Sequence, residues 1–202
     1  MATIELVTIE VAEPAAAEAF YAAAFGVTDR VRVRASQAPT TGFRGFTMSL
    51  VVSRPSTVRG FIDSAVEAGA TVLKPAAKSL WGYGGVVAAP DGTIWTLASS
   101  SKKDNGPATR QIDDLVLQLG VADVAASKQF YIDRGLTVAK SYGRKYVELD
   151  TGPITLTLNK RGGLAKTAGV PADGTGSHRL LIGGDAGAFT DPDGYEWETA
   201  SR

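Results

Sequence analysis

Two stretches of this chain carry the same pattern. Asp191-Pro192-Asp193-Gly194-Tyr195-Glu196-Trp197-Glu198 reads as a tight turn running into a strand. Asp and Pro supply turn chemistry, and Gly194 can take a positive φ that other residues resist. Tyr195, Trp197 and Thr199 then alternate with Glu196 and Glu198, the period of a half-buried strand. Earlier in the chain, Ala89-Pro90-Asp91-Gly92-Thr93-Ile94-Trp95-Thr96 repeats the device, with Trp95 in the place of Trp197 and Thr96 in that of Glu198. A Phe-Tyr pair also recurs, as Phe20-Tyr21 and Phe130-Tyr131, offset by 110 residues against 102 for Pro-Asp-Gly. An ordered set of elements that recurs in this way predicts a duplicated unit stacked on its own copy.

The elements between these landmarks read as a mixture of strands and helices. Residues 4–11 alternate as a strand, and Pro14 opens a helix that ends near Phe25, with Gly26 as its cap. Residues 27–35 alternate again, with Arg30, Arg32 and Arg34 on one face. That face is either a solvated strand surface or an anion site. Residues 37–42 read as loop, 46–53 as a strand and 57–68 as a second helix. Short strands then surround the first Pro-Asp-Gly. Residues 100–110 are polar and aperiodic and read as a linker between a domain at 1–99 and another at 111–202. The second unit starts with a strand at 115–121, a helix capped by Asp123, and a meander from 137 to 159. Residues 162–176 read as a long loop, either a lid or an ordinary surface loop. No second helix of the unit is visible after it.

Composition narrows the function classes. Among 202 residues the 21 basic and 21 acidic side chains cancel, and no Lys/Arg run marks a nucleic-acid surface. Without cysteine there is no disulfide framework, no thiolate nucleophile and no Cys zinc ligand, which fits a reducing cytoplasm. The N-terminal sequence does not resemble a secretory signal, and no apolar run reaches the ~20 residues of a membrane helix. A cytoplasmic protein with a small-molecule partner, and neither nucleic acid nor membrane as partner, is the expectation.

The strand–helix elements ending in Phe20-Tyr21 and Phe130-Tyr131, together with Asp191-Pro192-Asp193-Gly194 and Trp81-Gly82 ahead of Pro90-Asp91-Gly92, resemble the vicinal oxygen chelate superfamily. That superfamily comprises glyoxalases, bleomycin-resistance proteins and extradiol dioxygenases. The resemblance implies an α+β fold of tandem βαβββ modules, forming two glyoxalase-like domains with curved mixed sheets around clefts. It also implies an internal pseudo-dimer, as a monomer or a further homodimer.

Enzymes of that superfamily hold a divalent metal with His and Glu side chains from inward strand faces. The positions resembling ligand sites are Leu6, Thr47 and Thr96 in the first half, and Val116, Thr155 or Thr157, His178 and Glu198 in the second. Only His178 and Glu198 can bind a metal strongly, and an apolar side chain cannot coordinate a cation. The resemblance therefore favours no cofactor and leaves a divalent metal at His178 and Glu198 as the alternative. The same pair could instead orient a polar ligand or act as a general base, or His178 could simply bond locally at a strand start. Phe43, Phe46, Trp81, Tyr83 and Tyr146 are candidates to line an aromatic cleft, or else belong to the core. The resemblance is therefore read as a metal-free protein of the glyoxalase/bleomycin-resistance type that sequesters a small molecule in an aromatic cleft; the alternatives are a metal-dependent glyoxalase- or dioxygenase-like enzyme using His178 and Glu198, and a degenerate scaffold.

Overall fold

A computed structural model describes residues 2–80, 82–104 and 106–200. The first half contains β1 (Ile4–Val11), α1 (Pro14–Ala24), β2 (Val31–Ala35), β3 (Thr40–Gly42), β4 (Phe46–Val51), α2 (Pro55–Glu67), β5 (Thr71–Ser79), β6 (Gly82–Ala88) and β7 (Ile94–Ser99). The second contains β8 (Asp114–Val121), α3 (Val124–Ile132), β9 (Thr137–Tyr142), β10 (Tyr146–Asp150), β11 (Thr155–Lys160), α4 (Arg161–Ala168), β12 (Gly174–Gly176), β13 (Leu180–Gly184), β14 (Phe189–Thr190) and β15 (Glu196–Thr199).

Local chemistry accounts for most boundaries. Pro14 and Pro55 open α1 and α2, where a missing N–H leaves no bond unmade. Asp123 caps α3, its Oδ1 accepting from the amides of Ala125 at 2.9 Å and Ala126 at 3.2 Å. The strand expected over 27–35 begins only at Val31, because Arg30 and Val31 both donate their amides back to the Val27 carbonyl in a turn. Its arginine face is a paired surface: Arg34 bonds Glu10 across the β1–β2 ladder, and Arg30 lies 3.6 Å from Asp29.

The loop expected over 162–176 is a second difference. Residues 161–168 form α4, closed by Gly169 at φ 82, and 174–176 pair with β3 as β12. Gly162 and Gly163 each weaken a helix by ~1 kcal/mol relative to alanine, which hides it from propensity. Burial of Leu164, Ala165 and Ala168 stabilises it instead.

Two sheets carry the fold. The large one has the order β5-β6-β7-β4-β8-β11-β10-β9, and the small one β14-β15-β13-β1-β2. The large sheet thus joins β4–β7 of the first half to β8–β11 of the second through the antiparallel β4–β8 pair. The small sheet joins β1–β2 to β13–β15 through antiparallel β1–β13. In both, a first strand lies parallel to the last strand of its own unit: β4 with β7, β8 with β11, β13 with β15. The units that form the small sheet are the trimmed ones, since β1 is followed by one helix and one parallel strand, and β13 by no helix.

The repeated motifs knit these units together. Tyr21 donates its hydroxyl to Asp91 at 2.5 Å, and Tyr131 donates to Asp191 at 2.6 Å. Tyr21 lies 5.5 Å from Trp95 at 47°, and Tyr131 lies 5.5 Å from Trp197 at 49°. Burial, then the adjacent carboxylate, pushes both hydroxyls well above the usual tyrosine range, so they stay protonated donors. The aspartates are not equivalent in sequence: Asp91 follows its proline and Asp191 precedes its own. The copies also differ at the indole. Trp197 donates to the Tyr131 hydroxyl at 3.3 Å, whereas the Trp95 ring nitrogen makes no hydrogen bond of its own. Tyr131→Phe therefore removes one more bond than Tyr21→Phe. The expected losses are about 2–3 and about 1–2 kcal/mol respectively, read from urea denaturation.

Candidate functional site

Side chains alternate across each sheet, so register decides which residues share a face. On the large sheet, Trp95, Leu97, Met48, Leu50, Leu117 and Leu119 point into the main core. Thr47, Ser49, Ile94, Thr96, Val86, Val116, Gln118, Tyr146, Glu148, Thr155 and Thr157 alternate with that core set and belong to the opposite face. Positions that resemble metal-ligand sites therefore regroup: Thr47, Thr96, Val116 and Thr157 share this face. Leu6 and Glu198 both pair with Gly183 and share a face of the small sheet.

Where β4 meets β8, the Gln118 Oε1 accepts from Thr47 Oγ1 at 2.9 Å and from Thr96 Oγ1 at 3.3 Å. Sequence reasoning missed Gln118, because nothing in its local sequence marks it as the meeting point of two strands from different halves. Toward β9 the face becomes charged. Glu148 accepts from Lys140 Nζ at 2.8 Å and from Tyr146 Oη at 2.9 Å. Asp114 accepts from Thr155 Oγ1 on both oxygens. Burial, aided by the Glu148 charge, raises the Asp114 carboxyl above its ordinary value.

At the other end of the face lies α4. Leu164, Ala165 and Ala168 pack on Phe43, Val86 and Ile94 as a second, smaller core. Between this packing and the sheet a cavity of about 290 Å³ remains, lined by Phe43, Leu73, Ala88, Ile94, Val170 and Pro171, among others. Of the aromatic residues singled out from sequence, Phe43 lines this cavity. Tyr146 lies on the same face, toward β9. Phe46 is buried in the main core opposite Leu119. Tyr83 lies on the helix-bearing side, with Arg59 of α2 5.8 Å above its ring. Trp81 lies outside the described residues.

His178 sits elsewhere. Its Nδ1 is 2.7 Å from the Arg44 carbonyl and its Nε2 2.8 Å from the Asp193 carbonyl, and its ring stacks on Tyr195 at 4.0 Å. Three side chains of the second half thus hold three consecutive carbonyls of the first: Arg161 on Phe43 at 2.6 Å, His178 on Arg44, and Tyr195 on Gly45 at 2.6 Å. Both imidazole nitrogens are engaged with backbone oxygen. Glu198 pairs with Gly183 near the end of β13, while His178 lies just before its start. The structure does not bring the two together.

The residues present do not fit a tightly held divalent metal. The donors that meet at β4–β8 are neutral hydroxyl and carboxamide oxygens, with no imidazole among them. Among the described residues no group of three or more His, Asp or Glu side chains is placed to hold an ion. No helix among them is long and apolar enough to cross a membrane.

No protein-family model matches the sequence, and no curated protein matches it. Solved structures do match. Glyoxalase I from Zea mays aligns with a TM-score of 0.62 at 15% identity, over 98% of this chain and 91% of that one. A putative dioxygenase from Bacillus subtilis aligns with a TM-score of 0.56 at 13% identity, over 95% and 71%. Likeness at these identities is one of fold: an α+β fold with curved sheets, shared with these glyoxalase I and putative dioxygenase structures.

Proposed function

We propose that the protein binds a small, planar, largely apolar molecule in the cavity between the large sheet and the segment following α4, and acts by sequestering it without a metal. The observation that carries this reading is the cavity itself: about 290 Å³ of apolar space beside the Phe43 ring, on the sheet face opposite α2. Its size is near the lower end of small-molecule sites, roughly 300 Å³ and above. Asp173, which also lines the cavity, offers a polar group to orient a ligand. The competing reading is an enzyme using a metal at His178 and Glu198.

One experiment separates the two. Mn²⁺, Fe²⁺, Ni²⁺ and Zn²⁺ are titrated calorimetrically into wild type and His178→Ala, alongside a thermal-shift series with planar aromatic compounds on wild type and Leu73→Trp. The expected result is no stoichiometric metal binding, with a compound-dependent rise in Tm that Leu73→Trp abolishes by filling the cavity. Stoichiometric metal binding lost in His178→Ala would revive the enzyme. No shift with any compound would leave the scaffold reading.

A further inference from the structure

A second, larger space than the one beside Phe43 borders α1. A groove of about 640 Å³ runs along α1, with Ala16, Ala19, Phe20 and Ala23 on one wall and Ala68 and Pro90 on the other. These α1 positions recur at helical spacing over about two turns, so the wall is a continuous apolar strip roughly 10 Å long. The groove volume falls inside the range of about 300–1,000 Å³ typical of small-molecule sites.

Its charged lining is Glu13, Asp91 and Arg179. Asp91 is fully used: one carboxylate oxygen accepts the Tyr21 hydroxyl at 2.5 Å and the other the Thr93 amide at 2.7 Å. Glu13 is exposed. Arg179 is underused. Its guanidinium makes one hydrogen bond, to the Ser36 carbonyl at 2.8 Å, and its Nε is buried with no partner among the described residues. Arg44 lies close enough to Arg179 for the two charges to oppose one another. Its Nη2 bonds the Asp91 carbonyl, while its Nη1 is likewise buried and unpartnered. Arg44 and Arg179 thus each leave one guanidinium nitrogen buried without an acceptor among the described residues. A buried donor without an acceptor costs free energy, and a second cation nearby adds to that cost.

The backbone points the same way. Arg179, at φ 57, is the one non-glycine residue among those described with a positive φ. Its amide donates to Ser177 Oγ at 3.0 Å, and its carbonyl accepts the Glu10 amide at 2.9 Å. A long side chain held in a sparsely populated conformation by local bonds is a recurrent feature of ligand clamps.

We propose that this groove is a second binding site, separate from the cavity beside Phe43, for a small amphipathic monocarboxylate. The apolar body lies along α1 and the carboxylate meets Arg179. Decanoate serves as probe and decan-1-ol as its neutral counterpart, both below their aggregation limits, followed by calorimetry on wild type, Arg179→Gln and Ala19→Trp. Ala19 is exposed, so the tryptophan fills the groove without entering the core. Decanoate is expected to bind as one equivalent, decan-1-ol about ten-fold or more weaker, and Arg179→Gln to weaken decanoate by a similar factor, as loss of a charge-assisted pair predicts. Ala19→Trp should abolish binding while its Tm stays within a few degrees of wild type, and Leu73→Trp should leave it unchanged. The assignment is overturned if wild type shows no saturable decanoate binding, if acid and alcohol bind alike, or if Ala19→Trp binds as wild type does. Because Leu73→Trp blocks only the Phe43 cavity, failure of one site is read independently of the other.

Discussion

Gly45→Ala is expected to destabilise the protein by about 3–5 kcal/mol. Gly45 has φ 87, where an L side chain is strained. A Cβ there would lie 2.5 Å from the Tyr195 hydroxyl, 2.6 Å from Arg161 Nη1 and 3.3 Å from His178 Cε1. These are the three side chains that hold the carbonyls of residues 43–45. The methyl group cannot be accommodated by moving one of them, because each is tied to a different backbone oxygen. The Gly45 carbonyl also accepts the Gly120 amide at 2.6 Å, so the strain passes into β8. A fall in Tm of about 10 °C, at roughly 2–4 °C per kcal/mol for a chain of this size, would register the effect. A change of under about 1 kcal/mol in urea denaturation would mean that the clamp is slack.

His178→Ala is expected to cost about 2–4 kcal/mol, through loss of the ring N–H donor between two carbonyls and of the stacking contact on Tyr195. Both ring nitrogens face carbonyl oxygens, and the ring N–H donates to one of them. His178→Gln can supply an N–H donor but not the stacking on Tyr195, so its loss should fall between wild type and alanine. Equilibrium denaturation of the three proteins gives the order directly. A neutral effect of His178→Ala on stability, with a change only in ligand or metal binding, would place this residue in a site rather than in the clamp.

Much of the fold was readable without coordinates. Pro14 and Pro55 marked helix starts, Asp123 marked a cap, and the two Pro-Asp-Gly turns preceded strands where alternation said they would. These features depend on residues close in sequence, and local sterics and hydrogen bonding settle them. α4 was not readable, because its two glycines oppose helix formation and only distant contacts with Phe43, Val86 and Ile94 offset them. β3 and β12 were missed for a related reason: a three-residue strand has no period, and each exists only because the other is present.

The candidate sites divide in the same way. Local sequence shows that Tyr21 and Tyr131 recur with their aspartate turns, and that the positions resembling metal ligands carry mostly neutral or apolar groups. Only the tertiary structure decided which of those positions face one another. Pairing runs between halves, β4 with β8 and β1 with β13, so Thr47 and Thr96 meet Gln118, and Leu6 and Glu198 flank Gly183. It also decided that His178 closes on the Arg44 and Asp193 carbonyls, and that Arg179 lines an apolar groove while its Nε is buried without a partner among the described residues. The physical reason is that a side chain's chemistry is local, whereas its partner is set by strand register and by packing across more than a hundred residues of chain.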